Sequence, residues 1–289
     1  EIVATINNLV KSGAVTVNQE RIKTEIGTPQ GGIISPLLAN IAFTGMETMI
    51  KEWVWKERKR TGQKRRGESP VQVIVYAEDF VVIAKERWII EELEEVIRQW
   101  CLEKMGVELS KEKTHITNVE DGFDFLGCNI RKYKINDTKN KTLIKPSKGS
   151  IKSIKLEIKD ICKSGCRLSQ DELIRKLNPV IIGWANYHSS NVAQRTFNAI
   201  DDYVFERLRI WAKKRHNNKG NAWIKEKYWQ KEGEKKWVFK TNKNSLYAMS
   251  DTKIIRHVKV KGKHHIFDGQ DEYWIKRRFM NKSGKKTRK

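Results

Sequence analysis

Negative charge is what this sequence lacks most: 35 Asp and Glu stand against 58 Lys and Arg, a formal net charge of +23. Such an excess is self-repelling until a polyanion neutralises it, which makes nucleic acid the expected partner. Long apolar runs are missing too. No stretch approaches a membrane span and no lipidation motif occurs, so a membrane surface, the rival partner of any basic chain, is not expected. Cysteine is scarce, with four in 289 residues and no signal peptide before them. Cys101, Cys128, Cys162 and Cys166 therefore read as free thiols in a reducing compartment. Cys162 and Cys166 have the look of half a zinc site, but no second pair of Cys or His stands near them, and core or surface thiols are expected. Internal repeats and low-complexity tracts are absent.

The length suffices for two compact domains and a tail. Charge is spread unevenly along it. From Phe205 to Lys289 there are 26 basic and 8 acidic residues, together with five of the ten tryptophans. Cations interleaved with aromatics suit a phosphate backbone and unstacked bases together. The plain alternative is a disordered basic tail. Trp211, Trp223, Trp229, Trp237 and Trp274 argue against it for all but the last few residues, since disordered tails are poor in aromatics.

Glu1 to Lys11 reads as the end of a helix, without an initiating Met, and suggests a fragment of a longer protein. Ser35-Pro36 places a capping residue before a first-turn proline, and the apolar run Leu37 to Trp53 predicts one largely buried helix. Lys56 to Arg66 reads as a basic loop. Val71 to Tyr76 and Phe80 to Ala84 are β-branched runs separated by Ala77-Glu78-Asp79, a hairpin with acids at its tip. Trp88 to Met105 has apolar residues at helical spacing, and strands are expected at Thr114 to Thr117 and Phe123 to Arg131. A Pro, Ser and Gly cluster at Lys145 to Ser150 marks a boundary, beyond which the period is helical. Ile151, Ile154, Ile158 and Ile161 line one face, Ser169 and Glu172 form a capping box, and Pro179 is expected to break or kink the next helix. A third helix is predicted from about Thr196 to Arg215, with Phe197, Ile200, Val204, Leu208 and Trp211 on its buried side.

Two segments of the first half carry chemistry. In GTPQGGIISPLLANI, Gly27 to Ile41, a glycine-rich turn leaves the backbone bare for a ligand, and a helix follows at once. In VIVYAEDFVVIA, Glu78 and Asp79 are adjacent carboxylates on a tight turn, hard oxygen ligands suited to Mg²⁺ beside a triphosphate. Each alone is ordinary, a loop and a solvated turn. Their order and spacing make them a pair.

That pair resembles the palm of reverse transcriptases encoded within bacterial and organellar group II introns. The likeness continues through MGVELSKEKTHIT (Met105 to Thr117), GFDFLGCNIR (Gly122 to Arg131), LNPVIIGWANYH (Leu177 to His188), which is similar to the maturase-specific thumb, and the basic stretch ending in EYWIKRR. It implies an α+β chain with a partial palm over 1–145, a helical thumb or maturase domain over 146–215 and a basic nucleic-acid-binding region over 216–289. It further implies that Glu78 and Asp79 are catalytic and bind Mg²⁺. Pro29, Gln30, Gly31, Gly32, Tyr76 and Ala77 would touch template and incoming nucleotide. The implied partners are group II intron RNA and target DNA, in a bacterial cytoplasm or an organelle. No endonuclease domain is expected, and His257, His264 and His265 read as surface residues.

The chain departs from the family pattern in two places. Glu1 to Ile26 contains no Asp, so the family's earlier metal-binding aspartate is expected to lie upstream. The hairpin reads Tyr-Ala-Glu-Asp where the family has Tyr-Ala-Asp-Asp, and the extra methylene of Glu78 shifts its carboxylate by more than about an ångström. The expected function is therefore intron RNA binding and splicing assistance. RNA-directed DNA polymerisation is the alternative if an upstream segment completes the site, and a degenerate remnant is the third reading. Arg207, Arg209, Lys213, Lys214 and Arg215 are the candidate RNA contacts.

Overall fold

The alternation of Val71 to Ala84 produces the hairpin at the expected place. In the computed structural model, β1 (Val71–Tyr76) pairs antiparallel with β2 (Asp79–Ala84), with Tyr76 opposite Asp79. The structure describes residues 35–60, 71–136, 139–233, 235–255 and 268–282, together with 4, 14–15, 21–22, 260 and 264. Packing divides the chain into two units, Glu1–Ile116 and Thr117–Lys289.

In the first unit α1 (Ser35–Ala42), α2 (Met46–Arg60) and α3 (Arg87–Met105) accompany the hairpin. One side of α2, of α3 and of the hairpin is apolar, and these sides meet. Met46, Ile50 and Val54 of α2 and Ile89, Leu93, Ile97 and Cys101 of α3 are buried, with Val73, Val75, Phe80 and Val82 packed against them. Spacings of three and four residues put each helical set on one face. Each such side chain contributes about 1.5–3 kcal/mol by leaving water. At the end of α3, Gly106 adopts φ 65 and its N–H donates to the carbonyls of Cys101 and Leu102. Glycine takes that left-handed conformation without a Cβ penalty.

Three local expectations are corrected here. Leu37 to Trp53 is two helices, because Gly45 at φ 95 turns the chain and the Thr44 hydroxyl donates to the Asn40 carbonyl. Leu37 and Ile41 on α1 are 58% and 60% exposed, so that part is not buried. The basic stretch from Lys56 is helical as far as Arg60, and 61–66 lies outside the described residues. No strand forms at Thr114 to Thr117; the Thr114 hydroxyl instead donates to the Ser110 carbonyl, closing a turn.

The second unit opens with an antiparallel sheet of β3 (Phe123–Phe125), β4 (Cys128–Asn136) and β5 (Lys139–Pro146) in sequence order. The expected single strand at Phe123 to Arg131 is thus a hairpin, turning at Leu126 (φ 48) and Gly127 (φ 69). Two consecutive positive-φ residues match the twist of the flanking strands. The helices α4 (Lys148–Ser164), α5 (Gln170–Tyr187) and α6 (Gln194–Arg215) follow. Ser169 and Glu172 form the full capping box. Pro179 does not break α5, which runs unbroken through it. Leu173, Ile174, Leu177, Ile181 and Ala185 are all fully buried, and their packing outweighs the lost backbone hydrogen bond.

The aromatics of the basic C-terminal half extend the same core. α7 (Asn221–Tyr228) leads into a hairpin of β6 (Trp229–Glu232) and β7 (Lys235–Phe239), and α8 (Asp271–Lys282) comes last. Trp211, Tyr228, Trp229 and Phe239 lie 5.1–6.4 Å apart in mostly edge-on pairs, and the Trp211 indole donates to the Gly165 carbonyl over 2.8 Å. The molecule is α+β, with helices and small antiparallel sheets. Among the described residues no helix is long and apolar enough to cross a membrane.

Candidate nucleic-acid interface

The hairpin tip is built by alternation. Val73, Val75, Phe80 and Val82 face the helices, so Ile74, Tyr76 and Asp79 face away, and Tyr76 is 63% exposed. Glu78 and Asp79 are both exposed. Ala77 carries φ 52, a left-handed conformation that costs a non-glycine residue about 1 kcal/mol or more. Strain at a turn that presents two carboxylates is consistent with a turn shaped for a ligand. Hard oxygen donors on adjacent residues of a paired hairpin suit Mg²⁺. Among the described residues no group of three or more His, Cys, Asp or Glu side chains converges. Pro29, Gln30, Gly31 and Gly32 lie outside the described residues, and so do His257 and His265. His264 is described: it stacks on Tyr273 at 4.1 Å and bonds Asp268 over 2.8 Å.

The five candidate RNA contacts on α6 separate by their partners. Arg209 is paired with Glu206 at 3.0 Å. Lys213 donates to the Lys219 carbonyl over 2.7 Å. Arg215 donates to the carbonyls of Cys166 (3.1 Å) and Leu168 (2.5 Å) and lies 5.0 Å over the Trp211 ring, so it ties two segments of the fold together. Arg207 is half-buried with its guanidinium 5.1 Å over Tyr203. Lys214 is exposed at the helix end.

The tryptophans beyond α6 divide similarly. Trp229 is buried in the core, whereas Trp223 and Trp237 are 37% and 51% exposed. Each exposed indole has ammonium groups over it: Lys219 and Lys227 at 5.4 and 4.8 Å from Trp223, and Lys225 at 3.1 Å from Trp237. Burial together with Lys227, Arg215 and Lys219 holds the nearby His216 below the usual histidine range. Cations outnumber acids there, with Lys219, Lys225 and Lys227 against Glu226.

The motif ending in Trp-Ala-Asn-Tyr-His proves to be a buried polar network, which spacing alone did not disclose. His188, fully buried, bonds Ser150 and Asn191, and the Trp184 indole donates to the Ser150 hydroxyl over 3.0 Å. Burial lowers the His188 pKa to about 4. The Tyr187 hydroxyl and the Ser147 N–H also donate to the carbonyls of Leu126 and Gly127, fixing the β3–β4 turn to the helices.

Two known families match successive stretches of the chain. Residues 2–130 match the reverse transcriptase (RNA-dependent DNA polymerase) family, and residues 151–229 match the group II intron, maturase-specific domain. Protein YkfC of Escherichia coli K12 is 32% identical over 136 residues, covering 41% of this chain and 35% of its own. Group II intron-encoded protein LtrA of Lactococcus lactis subsp. cremoris is 29% identical over 178 residues, covering 44% of this chain and 29% of its own. The chain thus spans about a third of the length of the curated relatives it matches. With a reverse transcriptase match followed by a maturase-specific match in one polypeptide, the chain belongs to the group II intron-encoded reverse transcriptase and maturase family.

Proposed function

We propose that this chain acts as a maturase: it binds structured group II intron RNA and holds it in a splicing-competent fold, while the RNA performs the chemistry. The observation that carries the reading is the coincidence of the maturase-specific match, 151–229, with the hydrophobic core that joins α4, α5, α6, α7 and the start of β6. Cations fixed on a rigid frame suit recognition of folded RNA by shape, through phosphates and 2′-hydroxyls. In this reading 1–145 is a partial palm, 146–215 the thumb, and 216–289 a basic region that adds backbone contacts, target DNA included.

The second reading, RNA-directed DNA polymerisation, is favoured by the reverse transcriptase match and by the exposed Glu78 and Asp79. Pro29, Gln30, Gly31, Gly32, Tyr76 and Ala77 would then line template and nucleotide, and Glu78 with Asp79 would hold Mg²⁺. The ion, when bound there, would neutralise charge developing on a triphosphate. Against this reading stands Glu78 in a position where the family uses Asp, with a longer reach to the metal. Filter binding and primer extension together test the pair. The chain is expected to bind its intron RNA and to extend no primer on an RNA template. Extension that disappears on Asp79→Ala would establish the polymerase reading, and failure to bind the RNA would remove the maturase reading.

A further inference from the structure

Lysine occupies one side of α4 from end to end. Lys148, Lys152, Lys155, Lys159 and Lys163 are spaced by four, three, four and four residues. At 3.6 residues per turn they fall within a sector of about 80°, in a row about 22 Å long with one ammonium group per turn of roughly 5.4 Å. The acids of the helix, Glu157 and Asp160, lie about 160° and 100° from the centre of that sector. Lys148, Lys152, Lys159 and Lys163 are exposed, and among the described residues none of the five pairs with a carboxylate. α6 flanks the row with Tyr203 and Arg207. The ammonium of Lys155 lies 5.2 Å from the Tyr203 ring centroid and the guanidinium of Arg207 lies 5.1 Å from it. The Nε of Arg207 is buried and has no acceptor.

A face that served only solubility would be built differently. Like charges four residues apart destabilise a helix, and the pairs 148/152, 155/159 and 159/163 repeat that conflict where an interleaved glutamate would have stabilised. Lys148 also stands in the first turn, where the helix dipole favours an acid and none is present. Burial of Ile154, Ile158 and Cys162 on the neighbouring face holds the helix together despite this repulsion.

We infer that this ridge is a docking surface for the phosphate backbone of paired nucleic acid, engaged without regard to base sequence. Lysine ammoniums are point charges suited to phosphate, and a straight helix presents them at fixed intervals. Single-strand binders need open aromatic faces on which bases stack. Tyr203, the ring that Lys155 of the row touches, is already engaged by two cations. The inference takes RNA rather than DNA as the duplex only because it rests there on the maturase reading.

The test replaces the four exposed lysines, K148Q/K152Q/K159Q/K163Q, in the full chain and leaves Lys155 on Tyr203. Anisotropy titrations over a salt series would use a blunt RNA duplex, a DNA duplex of the same sequence and an unstructured single strand. Loss of four phosphate contacts should make the slope of log affinity against log salt shallower by about 3 to 4, with binding at least about tenfold weaker at low salt. The unfolding temperature should stay level or rise. K141Q/R167Q/K176Q/R195Q, which removes the same charge from exposed positions of Thr117–Lys289 outside both the row and 216–289, should change the slope less. An unchanged slope in the ridge variant would overturn the inference while leaving the maturase reading intact. An equal effect of the control variant, or a preference for the single strand, would also overturn it. Equal binding of the DNA duplex would support the backbone surface and remove the choice of RNA. A wild-type chain that binds no nucleic acid would end both readings.

Discussion

The side-chain amide of Asn191 donates to Nδ1 of His188 across 2.9 Å, in a site where His188 is fully buried. This bond requires a neutral imidazole, because a protonated Nδ1 would face a donor. The proton then sits on Nε2, 3.2 Å from the Ser150 hydroxyl. The network joins the end of α5, the start of α4 and, through the amide of Asn191 to the Cys128 sulfur, the sheet.

Acid should therefore loosen the second unit. Burial depresses the His188 pKa from 6.5 to about 4, so the unfolded chain binds a proton that the folded chain refuses. The stability this group contributes is full above pH 6.5 and is lost as pH falls toward 4, by at most about 1.4 kcal/mol per pH unit. Denaturant unfolding between pH 7 and 5 should show this slope in the wild type and a shallower one in His188→Gln. Equal slopes would mean that His188 titrates normally.

Arg215 and Lys214 should behave oppositely although they are neighbours. Arg215 bonds two carbonyls and covers Trp211, so Arg215→Ala should cost about 1 kcal/mol and lower the melting temperature by a few degrees. Lys214→Gln should leave the melting temperature unchanged, since Lys214 is exposed at the helix end. Thermal unfolding of the two single variants checks this. An intact melting temperature in Arg215→Ala would show that the clamp contributes nothing.

The strained tip of the first hairpin can be relieved. Glycine accepts φ 52 freely, so Ala77→Gly should raise the stability of the first unit by about 0.5–1 kcal/mol, after the extra entropy it gives the unfolded chain. A destabilised variant would indicate that the methyl group packs usefully.

Much of the fold was legible because period and packing agree. The buried faces of α3 and α6 followed from their three-and-four spacing, as did the capping box at Ser169 and Glu172. Leu37 to Trp53 misled because continuous apolarity hides the turn that Gly45 imposes. Pro179 misled because its cost is local, whereas the residues around it are held by the core. In the candidate site, the acidic hairpin tip was readable from its strands. The partners of Lys213 and Arg215 were not, since both bond backbone carbonyls that no sequence pattern marks, and neither was the pairing of Arg209 with Glu206. The lysine row from Lys148 to Lys163 was not singled out in the sequence, because its lack of acidic partners emerges only in three dimensions.

As a maturase, this chain should assist splicing without needing the acidic tip of the hairpin. The most direct measurement is the splicing rate of the cognate intron RNA at limiting Mg²⁺, with no protein, with the wild-type chain and with Asp79→Ala. Both proteins are expected to accelerate splicing equally over RNA alone. No acceleration by the wild type, or acceleration abolished by Asp79→Ala, would contradict it.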